Sequence, residues 1–138
     1  MSFKDNCTKS TANKKIILRE NRSVITFQNK EENEVVVVEV DGCEINDNGV
    51  KCDYLLLDNN KDEHFIELKG QNIKHAIKQL SRSIEKLSSD VKNGKKLCFI
   101  ITTRSPLSAA SIQVLRVKFR KKYNSDLIVK NSPCVYKL

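Results

Sequence analysis

The hydrophobic pattern of this chain changes period once, at Gly70, and that change limits what it can fold into. Before it, the runs EVVVVEV, KCDYLLLD and HFIEL are short and rich in β-branched and aromatic residues, which suits strands of a sheet. Asp41-Gly42 and Asn48-Gly49 are turn dipeptides that bracket CEI in an expected hairpin, while Asn59, Asn60, Lys61 and Asp62 suit the loop between the next two strands. After it, Ile73, Ala76, Ile77, Leu80, Ile84, Leu87 and Val91 recur at helical spacing, so a long amphipathic helix is predicted, ending at Asn93-Gly94. KLCFIITT is continuously apolar, as in a strand covered on both faces. A second helix is predicted from Ser105-Pro106, with apolar positions at Leu107, Ala110, Ile112, Leu115 and Phe119, and DLIV and CVYKL close the chain as strands.

Toward the N-terminus, KKIIL and SVITFQ read as short strands, and residues 1–14 as a polar, frayed lead. Residues 15–138 then form a single α/β (α+β) domain, a mixed sheet flanked by helices. With 138 residues and 39% apolar content there is room for one core and one domain. The longest apolar runs, Val35 to Val38 and Cys98 to Ile101, are far too short for a secretory signal or a membrane span, so a soluble, cytoplasmic protein with no membrane partner is expected. Cys7, Cys43, Cys52, Cys98 and Cys134 are odd in number and form no C-x-x-C pair, which predicts reduced, packing thiols. The formal charge of +8 favours a polyanionic partner, although a Lys-, Asn- and Ile-rich composition can arise with no ligand in view.

One strand raises a question of charge. In HFIELKG, alternation sends Phe65, Glu67 and Lys69 one way and His64, Ile66 and Leu68 the other, so two opposite charges share a face of a strand that looks half buried. Antiparallel pairing of residues 52–58 with 64–69 brings Asp53 to the same end of the sheet. Two carboxylates and an ammonium then converge, and an oxygen-rich site of this type suits Mg²⁺ or Mn²⁺. The plain alternative is a solvated ion pair, common by chance in a chain that is 30% charged. Gln71, His75 and Gln79, spaced by four on the helix that follows, add a polar stripe beside the apolar one.

CDYLLLD, then HFIELKG, then HAIKQL resembles the core of the PD-(D/E)XK, or restriction-endonuclease-like, nuclease superfamily, over roughly residues 34–104. The resemblance implies a strand-strand-strand-helix-strand core, a metal-binding Asp at Asp53, a second acidic ligand at Glu67, the motif lysine at Lys69 and the helix glutamine of several branches at Gln79. Cys52 stands where the name-giving proline would be, and Ser83 where one branch has tyrosine. Some branches draw another acid from an N-terminal helix. No such helix is evident before residue 34, and Glu20 or Glu44 could take that part.

What the resemblance implies is metal-dependent hydrolysis of phosphodiester bonds, most readily in DNA, in restriction, repair or defence. Mg²⁺, or Mn²⁺, would be held by Asp53, Glu67 and the backbone carbonyl of Leu68, with Lys69 positioning or activating the attacking water. VLRVKFRKK supplies Arg116, Lys118, Arg120, Lys121 and Lys122 without an acid among them, a candidate phosphate-binding helix face or simply a solvated one. Lys74, Lys78 and Arg82 form a weaker stripe. The competing class is a non-catalytic nucleic-acid-binding or protein-interaction module on the same fold. With no room for a separate recognition domain in 138 residues, a homodimer or a place in a larger complex is expected.

Overall fold

A computed structural model describes residues 3–68, 72–103 and 108–138. The elements follow in the order β1 (Thr8–Thr11), β2 (Lys15–Glu20), β3 (Ser23–Gln28), β4 (Val35–Glu39), β5 (Tyr54–Leu57), β6 (Glu63–Leu68), α1 (Ile73–Leu87), β7 (Lys96–Thr102), α2 (Ala109–Tyr123), β8 (Ser125–Asn131) and β9 (Cys134–Lys137). Six strands make one mixed sheet in the order β1-β4-β5-β6-β7-β8. β1, β4, β5 and β6 pair antiparallel, whereas β6, β7 and β8 run parallel, joined through α1 and α2. The helices cover one face only. A second sheet, β2-β3-β9, covers the other.

Side-chain alternation accounts for these layers. On the helix side, Val38, Leu55, Phe65, Cys98 and Ile100 meet Ala76, Leu80 and Ile84 of α1 and Phe119 and Tyr123 of α2. On the other side, Leu56, Ile66, Leu68, Phe99 and Ile101 meet Ile16, Leu18, Ile25 and Phe27 of the small sheet. β6 is therefore buried on both faces along its whole length, not half buried. His64 belongs to this packing, its ring among Phe27, Phe99 and Tyr136, and burial lowers its pKa.

Three local expectations are corrected. The CEI segment is not a hairpin strand, because it forms a compact turn in which the Cys43 and Ile45 N–H groups donate to Val40 O and the Gly42 N–H donates to Ile45 O. α1 stops at Leu87, short of Val91 and Asn93-Gly94, because Ser88 turns extended and gives its hydroxyl to buried Glu63 at 2.6 Å, while Ser89 N–H takes the other Glu63 oxygen at 2.9 Å. Within the polar lead, Thr8–Thr11 form an edge strand on β4, and the Cys7–Cys43 disulfide fastens it to the turn after β4. An edge strand exposed on both faces has no hydrophobic pattern to betray it. Cys52 and Cys98 are buried packing thiols, and burial pushes Cys98 up to about 12.

Lys96 joins the parallel half of the sheet to its surroundings. Though buried, its ammonium donates to the carbonyls of Asp90 and Gly94, both at 2.6 Å, and of Tyr123 at 2.9 Å. Among the described residues no helix is long and apolar enough to cross a membrane.

The disulfide closes a sequence separation of 36 residues. Loop-closure entropy for a ring of that size corresponds to about 4 kcal/mol. Urea unfolding followed with and without dithiol reductant should show a loss of that order, and a Cys7→Ser, Cys43→Ser protein should match the reduced chain. Equal midpoints in all three would show that the bond adds nothing to stability.

Candidate functional site

The β5–β6 register sets Tyr54 opposite Ile66, and one step further out Asp53 stands opposite Glu67, its N–H donating to Ile66 O at 3.0 Å. Asp53 Oδ2 accepts the Leu68 N–H at 2.7 Å, which ties its carboxylate to the end of β6. Glu67 projects to the helix side, where Gln79 of α1 is its neighbour, and is only 6% exposed. Its Oε1 is buried and has no hydrogen-bond partner among the described residues. Lys69, the third member of the expected group, lies outside the described residues, as does Gln71 of the polar stripe.

The Glu67 carboxyl is pushed up to about 9, first by burial and then by the charge and hydrogen bond of Asp53, against a smaller pull from Gln79. Burial also raises Asp53, opposed by the Leu68 N–H. Both carboxyls are thus raised, as confinement of two like-charged groups favours the protonated form.

Asp53 also lines a cavity of about 300 Å³ with Glu20, Glu39, Asp41 and Tyr54. Glu20 ends β2 and Glu39 ends β4, so both sheets contribute an acid to one rim. The Glu20 and Asp41 charges raise Asp53, and Asp41 also raises Glu67. Of the two acids that could replace a helix-borne one, Glu20 is in this cleft. Glu44 instead accepts the Lys4 N–H at 2.8 Å. Glu39, Asp41 and Tyr54 were not singled out from the sequence, because nothing in local periodicity says that the ends of β2, β4 and β5 meet.

The donor set suits a hard divalent cation, which takes carboxylate and carbonyl oxygens. A buried carboxylate oxygen without a donor is what such an ion would satisfy. Among the described residues no group of three or more His, Cys, Asp or Glu side chains could hold a metal ion. Protein ligands would therefore be Asp53 and Glu67, completed by backbone oxygen such as that of Leu68 and by water.

Gln79 does more than face Glu67, for its Nε2 donates to Lys51 O at 3.0 Å. Arg82 does not belong to a free basic stripe. It clamps Asp47 and donates to Val50 O at 2.8 Å, and its guanidinium holds the Asp47 carboxyl well below the usual carboxylate range. Ser83 is fully buried and its Oγ accepts the Cys52 N–H at 2.8 Å. His75 is exposed and serves the helix only through its backbone, which donates to Asn72 Oδ1.

The basic residues of α2 divide into two groups. Arg120 is ion-paired with Asp126, Arg116 donates to Leu127 O at 3.0 Å, and Lys122 lies 3.9 Å from Glu85 and over the Tyr123 ring. Lys118 and Lys121 are exposed and have no ion pair among the described residues. Val114 and Val117 are exposed beside them, and a groove of about 550 Å³ runs between α2 and β8, lined in part by Arg116, Val117, Arg120 and Lys121.

Because folding raises the Glu67 pKa from 4.5 to about 9, the folded chain keeps a proton that the unfolded chain gives up. Stability of the metal-free protein should therefore fall as pH rises through that window, with a slope approaching ~1.4 kcal/mol per pH unit. Denaturant midpoints between pH 5 and 9 in EDTA should show this fall, and Glu67→Gln should flatten it. An unchanged slope in Glu67→Gln would mean that Glu67 is already ionised in the fold. Compared with family models, curated proteins and solved structures the chain has no match, so the reading of this site rests on its own residues and geometry.

Proposed function

We propose that this chain is a metal-dependent nuclease that hydrolyses phosphodiester bonds, in DNA, with Asp53 and Glu67 at its centre. The observation that carries the reading is the confined carboxylate pair at the end of β6, with a buried Glu67 oxygen that has no hydrogen-bond partner among the described residues. A pair of this kind raises the energy of the fold unless a cation joins it. The element order around it supports the same reading, since β4, β5 and β6 form an antiparallel meander and α1 leads to β7 parallel to β6, as in a restriction-endonuclease-like core.

Each residue then has a separable task. Asp53, held by the Leu68 N–H, offers a carboxyl oxygen. Glu67 must release its proton before both of its oxygens can act as ligands, so ion uptake should liberate a proton. Gln79 holds Glu67 on one side and the backbone before Asp53 on the other. Lys69, by its place in the motif, would position or activate the attacking water. Mg²⁺ or Mn²⁺, when bound, would supply charge stabilisation for the non-bridging oxygens and lower the pKa of water. Lys118 and Lys121, with the α2–β8 groove, would grip phosphates.

A second reading, a non-catalytic nucleic-acid-binding or protein-interaction module, is favoured by one observation, the lack of a three-donor metal group among the described residues. A homodimer or larger assembly belongs to either reading.

Incubation with supercoiled plasmid, linear duplex, single strands and branched DNA in Mg²⁺, Mn²⁺ or EDTA separates the two. Cutting that EDTA stops and that disappears in Asp53→Asn and Lys69→Ala is expected. Metal-independent cutting, or cutting retained in Asp53→Asn, would sink the assignment. In parallel, Lys118→Ala, Lys121→Ala should weaken DNA binding on every sequence and reduce the slope of log K against log salt by about 2. An unchanged slope would remove α2 from the binding surface.

A further inference from the structure

We infer that Ser83 and Arg82 are positioning residues for the Asp53–Glu67 pair, through a grip of α1 on the backbone of residues 50–52. The inference rests on the nuclease reading for its catalytic consequence, but not for its geometry.

Three consecutive residues ahead of Asp53 are each held by an α1 side chain. Arg82 Nη1 donates to Val50 O at 2.8 Å, Gln79 Nε2 donates to Lys51 O at 3.0 Å, and Ser83 Oγ accepts the Cys52 N–H at 2.8 Å. Positions 79, 82 and 83 are related by i, i+3 and i+4, so the three side chains stand on one stripe of the helix. The segment they hold is not part of a strand, since β5 begins only at Tyr54. Its peptide groups find partners on α1 where a sheet ladder would otherwise supply them.

Asp53 is the next residue, and there the grip is handed to the sheet. Its N–H donates to Ile66 O and its carbonyl accepts from Val40 N–H, both at 3.0 Å. The carboxylate is thus set by β4 and β6 on one side and by α1 on the other. Gln79 also contacts Glu67, so the same helix stripe is tied to both acids and governs their separation. Arg82 is itself aimed by Asp47, whose oxygens it meets at 3.0 and 2.6 Å. It passes so close to Gly49 that a Cβ there would overlap the guanidinium. Gly49→Ala therefore displaces Arg82 from outside the core, without touching either carboxylate.

The test uses Ser83→Ala and Gly49→Ala, with Asp53→Asn as a reference. The Leu68 amide, which donates to Asp53 Oδ2, is a reporter that needs no metal. In both variants its ¹H–¹⁵N resonance should move in the direction that Asp53→Asn moves it. Mn²⁺ affinity should fall by about tenfold, the lower end of what loss of a residue supporting a metal ligand produces. Plasmid cleavage should lose kcat with KM for DNA unchanged. Variants that melt earlier but keep the wild-type Leu68 resonance and Mn²⁺ affinity would overturn the inference and leave Ser83 and Arg82 as packing. If Ser83→Ala does not fold, Gly49→Ala decides alone. If the wild-type chain neither binds Mn²⁺ nor cuts DNA, the nuclease reading fails, and the Leu68 resonance still tells whether α1 sets Asp53.

Discussion

Two carboxylates held side by side, buried Glu67 and half-buried Asp53, impose a condition that the surrounding architecture has to meet. Each would be at ease in water; Glu67 is taken out of it by the layers packed on both faces of β6, and Asp53 in part. The fold answers it in part by giving Asp53 the Leu68 N–H, while burial raises both carboxyls. Glu67 Oε1 has no hydrogen-bond partner among the described residues. Gln79 offsets part of that deficit without removing it, because its amide is shared with Lys51 O. The residual cost sits at one end of the sheet, where a parallel α/β arrangement commonly keeps its ligand site.

At the opposite end of the sheet, where β6 and β7 begin, other buried polar groups join the layers. Lys96 and Glu63, both buried, act as ties between layers. Lys96 binds three carbonyls from the segment after α1 and from the end of α2, and Glu63 stops α1 by taking Ser88 and Ser89. Ser83 joins α1 to the entry of β5. These bonds cross the helix–sheet boundary, where apolar contacts alone would allow sliding. The small sheet adds something different, since β2 ends in Glu20 at the rim of the acidic cleft and so brings a distant segment to Asp53.

Much of this could be read from the sequence, and the part that could not has identifiable physical reasons. Alternation in HFIEL and a polar loop at residues 58–62 fixed the hairpin register, and with it the meeting of Asp53 and Glu67. The 3.6-residue period of α1 gave its buried face, although not its end, which depends on Glu63 from a strand far away in sequence. β1 escaped notice because TKST is polar throughout, and its disulfide because spacing alone does not pair five cysteines. Ser83 was read only as a departure from a motif and Arg82 only as a charge. A side chain that holds an irregular backbone segment has no periodic signature, and only the fold reveals it.

Charge distribution links the site to its proposed substrate more tightly than the net value of +8 does. The positive excess is a property of the whole chain, and the cleft beside Asp53 runs against it, with Glu20, Glu39 and Asp41 on its rim. The α2–β8 groove is lined by other residues, three of them cationic. On the nuclease reading a polyanion would be drawn to the α2 surface and repelled at the carboxylates, and a divalent cation would relieve that repulsion. Attraction and reaction then depend on different charges. On the nuclease reading, nucleic acid can be held without metal, but its phosphate can approach Asp53 and Glu67 only together with the ion that the buried pair itself requires.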